Sequence, residues 1–245
     1  MRKVLLTLAF VLSFATPNVA AAMAIDVSSD VIRVTTGFTG ATITVFGTQE
    51  QPGDVVIVVE GPPRNATVRK KNRVAGLWTN TDSRNFINVP SFYEMASATT
   101  LDKIAAPELL KQKRIGLENL SVVRLKGGKM DATTTEFVAA LFQEQSKMKL
   151  FVPEAQPLFY PGPNLFKTQF SIPAIVAPGQ YRVSAYLFSN GQIMEEDTAN
   201  FVVVPEGLSA ELRVFATENG LLYGLTGMFM ALMAGWLATV LLKRD

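Results

Sequence analysis

Apolar positions along this chain fall into three regimes. A run from Val4 to Ala15 opens it, a longer one from Leu221 to Leu242 lies near its far end, and short clusters fill the space between. Strict alternation of apolar and polar residues marks a half-buried strand. Ala41 to Phe46 shows it, with Ile43 and Val45 on one face and Thr42 and Thr44 on the other. Val31 to Thr35 is a predicted strand just before it. Val55 to Val59 is unbroken and β-branched, the pattern of a central strand buried on both faces. Turn residues divide these runs, first Gln51-Pro52-Gly53-Asp54 and then Gly61-Pro62-Pro63. Ala66 to Lys71 and Val74 to Trp78 are predicted as two further strands.

The same pattern returns later in the chain. Leu165 to Ile172 is a predicted strand, Pro178-Gly179 a turn, and Tyr181 to Phe188 alternates with Tyr181, Val183, Ala185 and Leu187 on one face. Asn190-Gly191 is a hairpin pair suited to positive φ. Phe201 to Val204 closes the set before Pro205. A Pro-Gly turn with tyrosine two residues on resembles the tyrosine corner of Greek-key sandwiches, where the hydroxyl bonds to upstream backbone. Seven or eight strands of this kind predict a mainly β fold, an immunoglobulin-like β-sandwich spanning residues 25–205.

The middle of the chain departs from that pattern. Residues from about 91 to 150 are rich in helix formers, with one helix predicted over Leu101 to Lys113 and another over Thr133 to Ser146. Phe137, Ala140 and Leu141 recur there at helical spacing. The expectation is a helical insertion between two halves of one sandwich, and two separate small domains are the alternative. After Pro205, residues 206–219 predict a juxtamembrane helix with Leu208, Leu212 and Phe215 on one face.

The two ends predict topology. Residues 221–242 carry no charge, and at ~1.5 Å per residue such a helix reaches about 33 Å, enough to cross a hydrocarbon core. Tyr223 and Trp236 lie toward its ends, where amphipathic rings favour the interface, and Lys243 and Arg244 follow directly. Basic flanks stay cytoplasmic, so residues 243–245 are expected inside and the body outside. Gly227, Ala231 and Gly235 recur every four residues and form a stripe that lets another helix approach closely. At the other end, Arg2 and Lys3 precede the apolar run and Ala20-Ala21-Ala22 supplies small residues for cleavage. Residues 1–22 are thus expected to be a secretory signal, cut after Ala22 or Ala24, with an uncleaved anchor as the alternative.

Composition narrows the chemistry. The chain has no cysteine and no histidine. That removes disulfides, thiolate nucleophiles, the usual zinc ligands and the base of most hydrolase triads. Setting aside Arg2, Lys3, Lys243 and Arg244 from the 23 basic residues, and Asp245 from the 21 acidic ones, leaves 19 against 20. So balanced a body gives no global field for nucleic acid. The sharpest local feature is Arg64 to Arg73, where Arg64, Arg69, Lys70, Lys71 and Arg73 are five cations in ten residues. Such a run suits anionic lipid headgroups, an acidic partner or a small oxyanion, and more often marks a solvated edge strand on which charge blocks unwanted pairing. Glu195-Glu196-Asp197 offers oxygens for calcium but lacks a supporting loop spacing. No catalytic, cofactor-binding or metal-ligating residues are assigned.

Several stretches carry a resemblance: FTGATITVFG from Phe38, VRKKNRVAGLW from Val68, NVPSFYEMAS from Asn88 and IPAIVAPGQYRVSAYLF from Ile172. With the terminal LLYGLTGMFMALMAGWLATVLLKR, they resemble the alphaproteobacterial putative transmembrane protein family. The resemblance implies a bacterial inner-membrane protein with its ectodomain in the periplasm. With the small-residue stripe, the expectation is a non-enzymatic accessory to another membrane protein such as a transporter, or a homo-oligomer. The alternative is a periplasmic sensor that binds an anion at the basic run.

Overall fold

A computed structural model describes residues 23–74, 76–120, 124–125 and 132–242. The expected signal segment and the tail after Leu242 lie outside the described residues. Eleven strands and five α-helices make up the described part. In chain order they begin with β1 (Ala24–Val27), β2 (Val31–Val34), β3 (Gly40–Thr48), β4 (Asp54–Glu60), β5 (Pro63–Val74), β6 (Leu77–Pro90) and β7 (Tyr93–Ser97). Then come α1 (Leu101–Ile104), α2 (Pro107–Lys113), β8 (Arg124–Leu125), α3 (Ala132–Lys147), β9 (Leu165–Pro173), β10 (Gly179–Ser189), β11 (Gln192–Pro205), α4 (Leu208–Glu218) and α5 (Gly220–Leu242).

Two sheets form the body, one with strand order β1-β3-β9 and one with order β2-β11-β10-β4-β7. The alternating residues of the sequence supply their shared core. Ile43, Val45, Phe166, Phe170 and Ile172 come from the first sheet. Val55, Ile57, Val59, Val183, Ala185, Leu187 and Phe201 come from the second, and all belong to one buried cluster. The expected mainly β class therefore holds. β4 is buried on both faces, as its β-branched run predicts, because its second face is covered by the segment after β7. Lys113 stands 5.6 Å over the Tyr186 ring, and Arg114 pairs with Glu60 at 2.8 Å, both on that outer face. Tyr93 fastens the cover: its hydroxyl donates to the Arg114 carbonyl (3.2 Å) and accepts from the Gly116 N–H (2.8 Å).

Both lateral openings between the sheets are closed. At one, Glu195 accepts the Met23 N–H and Asp197 accepts the Ile25 N–H at 2.9 Å, joining β1 to β11. At the other, residues 150–159 run as a strap from β7 to β9. Tyr93 N–H donates to Leu150 O, Gln156 N–H to Met95 O, and Phe159 and Lys167 exchange two backbone bonds. The tyrosine corner forms as read, with the Tyr181 hydroxyl donating to Ala177 O at 2.7 Å. Asn190 and Gly191 take φ of 50° and 77°, the paired positive values of the hairpin turn.

Three local expectations are corrected. The strand expected over Val74 to Trp78 is divided: Val74 ends β5 and pairs with Leu77, where the second strand begins and runs on to Pro90. The turn signal was a single Gly76 (φ 85°), and the apolar Val74-Ala75 and Leu77-Trp78 on either side of it imitate one continuous strand. The helix expected over Leu101 to Lys113 is two, because Ala105 and Ala106 are extended before Pro107, whose ring disfavours helical backbone in the residue ahead of it. The stretch expected as a helical insertion from about 91 begins with β7, a fully buried strand paired with β4. The other predicted helix appears as α3.

Candidate functional site

The five cations of the basic run do not converge. They lie along β5, which from Arg64 to Arg73 extends ~30 Å at ~3.3 Å per residue. Arg64 donates to Gln145 Oε1 at 3.0 Å near the hairpin base, and Lys70 pairs with Glu136 of α3 at 3.6 Å. Arg73 donates from Nε to the Gly76 carbonyl at the tip, while Arg69 and Lys71 are exposed. Arg69 and Lys70 share a shallow groove with Phe137, but Glu136 already answers Lys70 there. An anion at this place competes with a carboxylate. Glu195, Glu196 and Asp197 separate as a strand requires, Glu195 and Asp197 toward β1 and Glu196 toward Lys113 on the opposite face. Among the described residues no group of three potential metal ligands gathers.

α5 shows Gly227, Ala231 and Gly235 on a helix exposed along its whole length. Past its junction with α4, nothing else in the described chain packs on it, so the stripe is open to another helix. α4 joins it almost without a break: Asn219 N–H donates to Phe215 O, Tyr223 N–H to Asn219 O, and the Phe215 and Tyr223 rings meet edge to face at 6.2 Å. Leu212 and Val214 of α4 remain about half exposed, so its apolar side is left uncovered by the sandwich.

The structure adds a site that the sequence reading missed. Glu94 of β7 points inward between the sheets and is 1% exposed. Its Oε1 accepts from Gln156 Nε2 of the strap at 2.7 Å, whereas Oε2 has no hydrogen-bond partner of normal geometry. The dry surroundings push its carboxyl up to about 7; the Gln156 amide and, less strongly, the Ser171 backbone oppose that rise. Glu94 lines a cavity of about 660 Å³ under the strap with Ser146, Lys149, Phe151, Gln156 and Ser171. Gly40 at its mouth has φ 124°, and a Cβ there would lie 2.9 Å from Ile172 O, so the position requires glycine. Glu94 and Lys149 are the ionisable groups of the lining. A single carboxyl at the floor can hold or release a proton near neutrality. The paired carboxylates of glycosidase-type chemistry require a second. One signal for Glu94 stood in the sequence: a lone acid in the otherwise uncharged stretch from Phe86 to Leu101.

The family model described as Putative transmembrane protein (Alph_Pro_TM) matches residues 22–244. No curated protein matches the chain.

Proposed function

The chain belongs to this family of membrane proteins, and from that premise we propose that it is a non-enzymatic, single-pass accessory of another membrane protein, such as a transporter. The observation that carries this reading is α5. Among the described residues it is the one helix long enough to span, exposed along its length and joined through α4 to a folded domain. One helix encloses no path across a bilayer. In this reading the chain acts on a membrane process through contact with a partner that supplies the path. The stripe of Gly227, Ala231 and Gly235 lets a partner backbone approach closely, where packing rather than hydrophobicity drives association in lipid. Lys243 and Arg244 after the span support a cytoplasmic C-terminus, and the basic, apolar and small-residue order of residues 1–22 supports export of the domain to the periplasm of a bacterial inner membrane.

The test is cross-linking in native membranes followed by mass spectrometry, with the tagged chain and its Gly227→Leu, Ala231→Leu, Gly235→Leu triple variant. A specific membrane protein should be recovered with the parent chain and lost with the variant. Equal recovery with both would reject the helix contact, and recovery of the chain itself alone would assign the stripe to a homo-oligomer.

A further inference from the structure

The β5–β6 hairpin is charged quite unlike the domain that carries it. Residues 63–90 hold six cations, Arg64, Arg69, Lys70, Lys71, Arg73 and Arg84, against one acid, Asp82. Over residues 23–62 and 91–205 the balance is 12 basic against 16 acidic. The domain is therefore strongly polarised, with its positive pole on a single arm. α3 supports this arm only part of the way: Arg84 lies 5.2 Å over the Phe137 ring, and Lys70 meets Glu136. A β-bulge between Lys70 and Lys71 marks where that support ends. Beyond it the described residues from Lys71 to Thr81 are exposed wherever their side chains are placed, a projection of ~15 Å at ~3.3 Å per residue. At the tip stands Trp78, 70% exposed.

Protection of the β5 edge accounts for cations but not for an open indole. Indole and cations together at the end of a projecting arm match an interface where one side is apolar and the other anionic. The chain brings such a surface within reach. β11 ends at Pro205, and the eleven residues of α4 add only about 16 Å before the span begins. β5 alone is ~40 Å long.

We propose that the tip of the β5–β6 hairpin docks on the anionic lipid surface from which α5 emerges, with Trp78 at the headgroup level and Arg69, Lys71 and Arg73 over the anionic headgroups. Among the described residues none of these three cations is paired with a carboxylate. They are therefore available to lipid without breaking an ion pair, and the Arg73 bond to the Gly76 carbonyl uses Nε alone.

Trp78 and Trp236 are the chain's two tryptophans, so the full chain carrying Trp236→Phe reports on Trp78 alone. It is reconstituted in liposomes of phosphatidylcholine with or without phosphatidylglycerol, some bearing a spin label near the headgroup. With phosphatidylglycerol, Trp78 emission should shift to the blue and be quenched by the label. Both effects should fade at 1 M salt, where the screening length falls to ~3 Å, and in the Arg69→Gln, Lys71→Gln, Arg73→Gln variant. Water-like emission in every liposome would overturn the proposal. So would quenching indifferent to lipid charge and salt, or water-like emission combined with Trp78 cross-links to an acidic protein in native membranes.

Discussion

Glu94 makes stability depend on pH in a direction opposite to that of an ordinary carboxylate. Its carboxyl titrates near 7 in the folded chain instead of the usual 4.5. Between those values the folded protein holds a proton that the unfolded chain has released. Stability therefore falls as pH rises through this window: the contribution is fully present below about 4.5 and is lost above about 7. The full span of the effect is about 3 kcal/mol, at ~1.36 kcal/mol per pH unit. Surface carboxylates titrate below pH 5, so the clean interval is pH 5.5 to 8.5, where about 2 kcal/mol remains to be lost. For a chain of this size that is a fall of roughly 4–8 °C in melting temperature. Glu94→Gln keeps an acceptor for Gln156 and cannot ionise. Thermal melts of the full chain in mild detergent, followed by circular dichroism, should show the wild-type midpoint falling across the interval while the variant stays level. The variant should be the more stable of the two at pH 8.5. Parallel pH profiles for both proteins would refute the assignment of the buried carboxyl.

Two further substitutions test how the body is fastened. Tyr93→Phe removes the bonds to Gly116 and Arg114 and strands a buried N–H, so it should cost about 1–3 kcal/mol and loosen α2, read as faster amide exchange between residues 107 and 120. Tyr181→Phe loses the corner bond to Ala177 and should cost about 1 kcal/mol by the same melts, with exchange over α2 unchanged.

How far the fold could be read from the chain depended on whether each signal was local. β4 was legible because five β-branched residues in a row leave little choice, and the β10–β11 turn because Asn-Gly prefers its backbone shape. β6 was not: between Leu77 and Phe86 it is polar, since most of it faces water on a projecting arm, and a solvated strand carries no hydrophobic period. β7 was missed for the converse reason. Buried on both faces, Tyr93 to Ser97 shows no alternation, and the helix formers after it coloured the reading. The site divides similarly. The cations and the small-residue stripe are contiguous or periodic and were found directly. Glu94 acquires its character from burial beneath a strap that reaches it through Gln156, sixty-two residues away. Trp78 stands at the end of a predicted strand in the sequence, and only the hairpin pairing puts it at an exposed tip.

The route by which the chain leaves the ectodomain has a mechanical consequence. β11 lies between β2 and β10, parallel to the first and antiparallel to the second, and runs without a flexible tether into α4 and the span. A pull on the membrane helix is thus delivered along the axis of a strand held on both sides. Its hydrogen bonds resist together, in shear, instead of parting one after another like a zip. A domain fastened to its span in this way resists tension from the bilayer without peeling open.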